Sequence, residues 1–322
     1  MTDGSKKKER VLALSGGVGG AKLALGLSRT VPSGKLTVVA NTGDDFEHLG
    51  LHVSPDVDTL LYTLAGLDNP ETGWGRRDET WTFMATLATL GAETWFRLGD
   101  ADLAVHVERT RRLRAGESLS QIIRDFAARL GVRSLIVPMT NERVRTRVRA
   151  DDGWLDFQRY FVERQCRPAV REFSYDGAAT AQPHPDFIAA ISDPGLRAIV
   201  ICPSNPFISI EPILALPGVR QSLQACTVPI VAVAPIIGGE AVKGPTAKMM
   251  RELGLEVSAE TVARRYGELL DGYVVDNLDA SLVTKLPVPT VATNALMVSL
   301  ADREQLAETV LSLADKLSQR HF

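Results

Sequence analysis

Four carboxylates, Asp44, Asp45, Asp56 and Asp58, fall within fifteen residues in the stretch NTGDDFEHLGLHVSPDVDT. Drawn together they would repel one another unless a cation or protons intervened, and magnesium meets that need with oxygen ligands. Asp44 equally suits a turn, and Asp56 or Asp58 the cap of a helix DVDTLLYTLAG. Upstream lies SGGVGGAK, residues 15–22, between apolar VLAL and helix-like AKLALGLSRT. A strand, glycines and a helix start form an anion cradle, because glycine lets backbone N–H groups approach a phosphate that the helix N-terminus also favours. The letters match neither standard nucleotide loop. Ala21 and Leu23 flank Lys22 where a Walker loop needs Gly and Ser or Thr, and Lys22 stands where a dinucleotide fingerprint begun at Gly17 needs Gly or Ala.

Two later loops carry further chemistry. CPSNPFISIEPIL offers Ser204, Asn205 and Ser209 as small polar groups on a proline-stiffened backbone, and equally fits a plain proline turn. APIIGGEAVKGPTAKMM supplies Gly238, Gly239 and Gly244 with Lys243 and Lys248, enough for a second phosphate cradle or a closing flap. In GDADLAVHVERT, Asp102, His106 and Arg109 stand at i, i+4 and i+7 on one helix face, a candidate polar cluster toward a cleft. Trp74, Trp81 and Trp95 crowd into the same region, as core or as a flat wall for an aromatic substrate. Arg143, Arg145, Arg147 and Arg149 alternate along a predicted strand and so share one face, which reads as a solvated edge.

The elements that must position these residues follow from the short apolar runs VLALS (11–15), LTVVA (36–40), AIVIC (198–202), PIVAVA (229–234), YVVD (273–276) and TVAT (290–293). With helical stretches between them, they predict an α/β fold: a mostly parallel sheet with helices on both faces. In such a sheet ligands bind beyond the carboxyl ends of the strands, where the glycine, acidic, proline and lysine loops all fall. From residue 68 to 190 the rhythm changes to helical patterns, ETWTFMATLATLG, DLAVHVERTRRL and SLSQIIRDFAARLG, followed by a hairpin turning at Asp151-Asp152-Gly153. The expected organisation is a loose tail over 1–10, a core built from 11–67 and 191–322, and a mainly helical insertion over 68–190. An amphipathic terminal helix is expected from Asp302 to Leu317.

Composition narrows the classes. The 322 residues are 45% hydrophobic and 23% charged, with a formal net charge of -3, so the chain has no basic field for nucleic acid. No apolar run approaches the ~20 residues of a membrane span. Three scattered cysteines, Cys166, Cys202 and Cys226, argue against a disulfide framework or structural zinc and fit a reducing cytoplasm.

Taken in order, SGGVGGAK, VVANTGDD, SPDVDTLLY, LGDADLAVH, FQRYFV, PSNPFISIEPIL and PIIGGEAVKGPTAKMM resemble the 2-phospho-L-lactate transferase family of deazaflavin coenzyme F-420 biosynthesis, known as CofD or FbiA. The resemblance implies a Rossmann-like core, a magnesium requirement and a homodimer. It also implies transfer of a 2-phospholactyl, phosphoenolpyruvyl or 3-phosphoglyceryl group from its guanosine diphosphate donor to the ribityl hydroxyl of the deazaflavin Fo, with GMP leaving. On that reading Asp45 and Asp58 are the principal catalytic and metal-side carboxylates, with Asp44 and Asp56 assisting at the metal. Gly16, Gly17, Gly19, Gly20, Lys22, Asn41, Thr42, Ser204, Asn205, Ser209, Gly238 and Gly239 face the donor. Asp102, His106, Arg109, Trp81 and Trp95 face the acceptor. The rival from another class is a nucleotide-sugar-binding regulator of the gluconeogenesis-factor type, against which the full acidic set and the GDADLAVH helix weigh. A dehydrogenase is disfavoured by the failed fingerprint.

Overall fold

The computed structural model describes residues 8–319. Most of the expected tail, residues 1–7, lies outside the described residues, and Arg10 already belongs to the first strand. In chain order the strands are β1 (Arg10–Ser15), β2 (Leu36–Ala40), β3 (Phe46–His48), β4 (Leu51–Val53), β5 (Leu135–Pro138), β6 (Arg145–Ala150), β7 (Gly153–Asp156), β8 (Glu172–Asp176), β9 (Leu196–Ile201), β10 (Ile230–Val233), β11 (Ile236–Ile237), β12 (Glu240–Ala241), β13 (Gly272–Asp276) and β14 (Thr290–Thr293). The helices are α1 (Gly17–Thr30), α2 (Pro55–Ala65), α3 (Thr82–Thr89), α4 (Asp100–Arg114), α5 (Leu119–Arg129), α6 (Pro185–Ile191), α7 (Glu211–Leu214), α8 (Val219–Gln224), α9 (Thr246–Glu252), α10 (Ala259–Tyr266) and α11 (Leu300–Ser318).

Seven strands form the central sheet in the order β14-β13-β10-β9-β1-β2-β5, every neighbouring pair parallel. Side chains alternate across it as strand geometry demands. Leu12 and Leu14 of β1 enter the core shared with α6, α8, α9 and α10, while Val11 and Ala13 enter the core shared with α1, α2, α5 and α11. Both faces are therefore covered, which is why the strands read as nearly unbroken apolar runs.

The sequence-derived organisation needs one correction. Leu135–Pro138, inside the stretch read as inserted, is the edge strand paired to β2. Helix α5 is the crossover that packs on it, so the insertion is two pieces rather than one. The run LIVP is short, ends in a proline and stands among helical patterns, where it does not stand out as a strand. The expected hairpin is present, with Ala150 opposite Gly153, and β8 joins β6 on its other side to make a three-stranded antiparallel sheet. Arg147 and Arg149 of β6 pair with Asp156 and Glu172 on the flanking strands. The terminal helix starts two residues before its expected place, capped by Ser299 in a reciprocal box with Asp302. Among the described residues no helix is long and apolar enough to cross a membrane.

Candidate active site

From β1 the chain builds outward to β2 and β5, then returns to β9 and builds the other way. The strand order thus reverses between β1 and β9, and the crevice beyond their carboxyl ends is where an open parallel sheet binds its ligand. A cavity of about 520 Å³ lies there. It is lined by Gly16, Gly17, Val18, Gly19 and Lys22 from the first loop, Asp44 and Asp56 from the acidic stretch, and Ser204, Asn205 and Ser209 from the proline loop. Four loops that the sequence spreads over 230 residues therefore meet at one place, the fourth contributing Lys243, Gly244 and Thr246.

The glycine loop is fixed by its neighbours. The Gly17 N–H donates to Asp56 Oδ1 at 2.7 Å and the Gly16 N–H to Ser204 Oγ at 3.2 Å. Gly17 holds a φ of +65°, which a side-chain-bearing residue adopts only under strain, although open space surrounds its Cα. Gly19 differs: a Cβ there would strike the Pro203 carbonyl oxygen, so its missing side chain lets α1 approach the loop after β9. The first-turn amides of α1 have no intrahelical acceptor and sit at the positive end of the helix dipole, an anion site by construction. Lys22 adds charge. Its Nζ donates to the Met297 carbonyl at 2.8 Å, and burial, then Arg303 and Lys243, hold its pKa below the usual lysine value.

The carboxylates divide into two sets. Asp56 faces the cavity, where its oxygens accept from Gly17 and, at 2.9 Å, from Asn41 Nδ2; burial pushes its pKa up to about 6 despite those bonds. Asp44 lines the cavity with Oδ1 buried and unpartnered, and burial followed by the adjacent Asp56 raises its pKa well above the carboxylate range. Asp45 lies beneath. Its Oδ2 accepts from Ser54 Oγ at 2.6 Å and stands 3.1 Å from His52 Nε2, while its Oδ1 is buried without a partner. Asp58 belongs to neither position: the guanidinium of Arg109 forks onto it, Nη1 to Oδ2 at 3.0 Å and Nη2 to Oδ1, and it does not line the cavity.

Asp102, His106 and Arg109 do share one helix face, yet that face turns inward rather than to the cleft. Arg109 is fully buried, and His106 bridges it to Asp102, with Nδ1 3.4 Å from Arg109 Nη1 and Nε2 3.2 Å from Asp102 Oδ2. The Tyr62 hydroxyl donates to Asp102 Oδ1 at 2.6 Å, closing a network between α2 and α4. Burial disfavours the charged forms of Asp102 and Arg109, but the partners outweigh it, holding Asp102 below and Arg109 above their ordinary pKa values.

Other expectations shift for equally local reasons. Gly238 and Gly239, both with positive φ, make the two-residue turn between β11 and β12, and the Gly238 N–H donates to Asp279 rather than lining the cavity. Asn41 has both ends of its amide engaged, to Gly43 N–H, Asp56 and the Ile208 carbonyl, so it holds loops together. Thr42 is buried off the cavity, and Gly20 packs against Ser15 and Ser204. Trp95 lines the cavity, joined by Trp74, Phe96, Phe157 and Phe161; Trp81 instead lies beneath Arg97, whose Cζ is 4.2 Å from its ring centre. Phe157 and Phe161 stack at 5.4 Å and 10°, and Phe46, His48, Trp95 and Phe96 form a second ring cluster behind the wall. Phe96, Phe157, Gln158 and Phe161 were not singled out in the sequence as site residues, although FQRYFV was among its motifs. Phe and Gln carry no signature of their own.

An all-parallel sheet with a helix start, carboxylates and aromatic rings gathered on one cavity at its switch point defines an α/β protein with its ligand crevice at the strand ends. Residues 11–312 match the family model for 2-phospho-L-lactate transferase CofD, and the chain belongs to that family of transferases. It is 40% identical over 318 residues to a phosphoenolpyruvate transferase of Kitasatospora aureofaciens, covering 96% of this chain and 98% of that protein. It is 36% identical over 311 residues to the 2-phospho-L-lactate transferase of Methanocaldococcus jannaschii, covering 95% and 99%. A solved member of the UPF0052 family from Bacillus halodurans superimposes with a TM-score of 0.60 at 16% identity, covering 95% of this chain and 99% of that one, a likeness of fold.

Proposed function

We propose that the protein transfers a phospho-organic-acid group from a guanosine diphosphate donor to the ribityl hydroxyl of the deazaflavin Fo, releasing GMP, as a step of coenzyme F-420 biosynthesis. The observation that carries this reading is one cavity lined both by groups that suit an anion, the start of α1 with Lys22 and Lys243, and by aromatic rings, Trp74, Trp95, Phe96, Phe157 and Phe161. A diphosphate suits the first and a planar, largely apolar ring the second. Asp44 and Asp56 lie on the same cavity. In the reaction the acceptor hydroxyl attacks the phosphorus bearing the acid, a new P–O bond forms as the hydroxyl proton is lost to water, and the bond to GMP breaks with its electron pair leaving on GMP. The protein's part in such a transfer is alignment and charge neutralisation.

The residues fit magnesium in a reduced set. Among the described residues no group of three or more His, Cys, Asp or Glu side chains is arranged to hold a metal by itself. Magnesium, however, commonly takes one or two carboxylates and completes its shell with water and substrate phosphate. Asp44 and Asp45, each with a buried unpartnered Oδ1, are the pair that would hold it; Asp58, neutralised by Arg109, is not. Bound there, magnesium would offset the negative charge of the diphosphate. Asp56 keeps the α1 loop in place through Gly17, and Gln158, buried on the cavity wall, donates to the Asp44 carbonyl at 3.3 Å.

Incubation with Fo and each guanylylated acid in turn, with product identified by mass, tests the proposal. Phospholactyl, phosphoenolpyruvyl or phosphoglyceryl Fo is expected with an equal amount of GMP. Absence of product with all three acids would overturn it.

A further inference from the structure

We infer that Arg97 recognises the carboxylate of the acid carried by the donor, and so sets which donors the enzyme accepts; the inference rests on the transferase reading above. Whatever its identity, the transferred acid bears a carboxylate close to the phosphorus. A site that takes it from a nucleotide must supply a cation beyond those the diphosphate occupies.

Three cationic side chains line the cavity: Lys22, Arg97 and Lys243. Two of them keep company with the glycine loop. Lys22 lies on α1 itself, and Lys243 places its Nζ over Gly73 and beside Val18, filling the space a Cβ at Gly73 would take. At Lys22 burial, then the charges of Arg303 and Lys243, lower the pKa, so Lys243 is near enough to act on it, as expected of cations arranged around a polyanion.

Arg97 differs from them in kind. It follows Trp95 and Phe96 in the chain and lines the cavity with them. The transferred group must lie between the donor's phosphates and the acceptor ring, and Arg97 is the lining cation that adjoins aromatic residues of that cavity in the chain. Among the described residues Arg97 makes no ion pair; its guanidinium is steadied instead on the face of Trp81, 4.2 Å from the ring centre. Stacking fixes the plane of the guanidinium while leaving its N–H fork unused, and a planar fork matches a carboxylate in a bidentate manner that a lysine does not. Trp81 thereby acquires a role: it positions the arginine and does not touch the ring.

GDP provides the control, because it has the nucleotide and the diphosphate without the acid. Binding of GDP and of the guanylylated phospho-acid is measured by calorimetry without acceptor, for the wild-type protein and for Arg97→Met, Arg97→Lys and Trp81→Leu. Arg97→Met is expected to weaken the guanylylated acid by roughly ten- to hundred-fold, the worth of hydrogen bonds to a charged group, and to leave GDP unchanged. Arg97→Lys keeps charge without the fork and is expected to fall between, as is Trp81→Leu. Arg97 is exposed, so melting temperatures of its variants should match wild type. If Arg97→Met keeps the wild-type ratio of the two affinities, or weakens both ligands equally, the assignment is wrong. A wild-type protein that binds neither ligand overturns the transferase reading itself, and the assignment with it.

Discussion

Asp56 and Asp58 stand two residues apart in the first turn of α2, and the molecule uses them differently. Two residues along an α-helix rotate a side chain by about 200°, so the pair cannot share a face. Asp56 turns to the cavity, ties the glycine loop through the Gly17 amide and has its pKa pushed to about 6 by burial. Asp58 turns to α4 and is neutralised by a fully buried arginine. Nearness in sequence therefore does not carry over into space: Asp56 lines the cavity, and Asp58 braces the helix that presents it.

The largest expected effect separates the two sides by kind of damage. Asp44→Asn or Asp45→Asn should lower turnover by roughly 100-fold or more, the scale of losing charge stabilisation at a phosphoryl centre, with little loss in urea denaturation. Arg109→Met should do the reverse, costing about 3–5 kcal/mol of unfolding free energy by stranding Asp58 in the interior. If Arg109→Met unfolds at the wild-type urea midpoint, the brace is not a brace.

The same contrast has a pH signature. Asp44 is raised above its unfolded value near 3.9, so in the metal-free protein its stabilising protonated form is fully present below that pH. That contribution is lost as pH rises through the higher folded value. Asp44→Asn removes the loss, so its melting temperature in chelator should gain on wild type as pH is raised from 4 to 8. A constant difference across that range would mean that Asp44 ionises as an ordinary surface carboxylate.

A smaller effect is expected at His106. Because it joins Asp102 to Arg109 inside the molecule, His106→Ala should destabilise the fold while leaving the KM for Fo near wild type in steady-state kinetics. A raised KM for Fo with unchanged stability would return that helix face to the acceptor site. Smallest of all, Gly17→Ala should cost about 1 kcal/mol through its positive φ and weaken GDP only modestly in calorimetry, whereas Gly19→Ala must displace the Pro203 carbonyl and should cost more. Equal costs at the two glycines would dissolve that distinction.

Much of this architecture is legible in the chain. Six of the seven central strands announce themselves as β-branched runs, and the rule that ligands gather at strand ends led to the four loops that do line the cavity. LIVP escaped because it is embedded among the helical patterns of 68–190 and ends in a proline, which reads as a break rather than a strand. The direction of a helix face is harder to read. The i, i+4, i+7 spacing of Asp102, His106 and Arg109 fixes a common face but not what it meets, and Asp58 waited for Arg109 across 51 residues of chain. The aromatic wall is half visible: the tryptophans stand out by their crowding, whereas Phe157 and Phe161 lie in FQRYFV, a motif whose residue types do not by themselves mark a site.

Direct transfer requires that one cavity hold donor and acceptor together. Single-turnover release of GMP tests it most directly: enzyme preloaded with the guanylylated acid is mixed with Fo, and GMP and the phosphodiester of Fo with the acid are followed together. GMP should appear one for one with product and only when Fo is added. Nucleotide that stays bound and intact in the presence of Fo, or GMP released at the same rate without it, would contradict the claim.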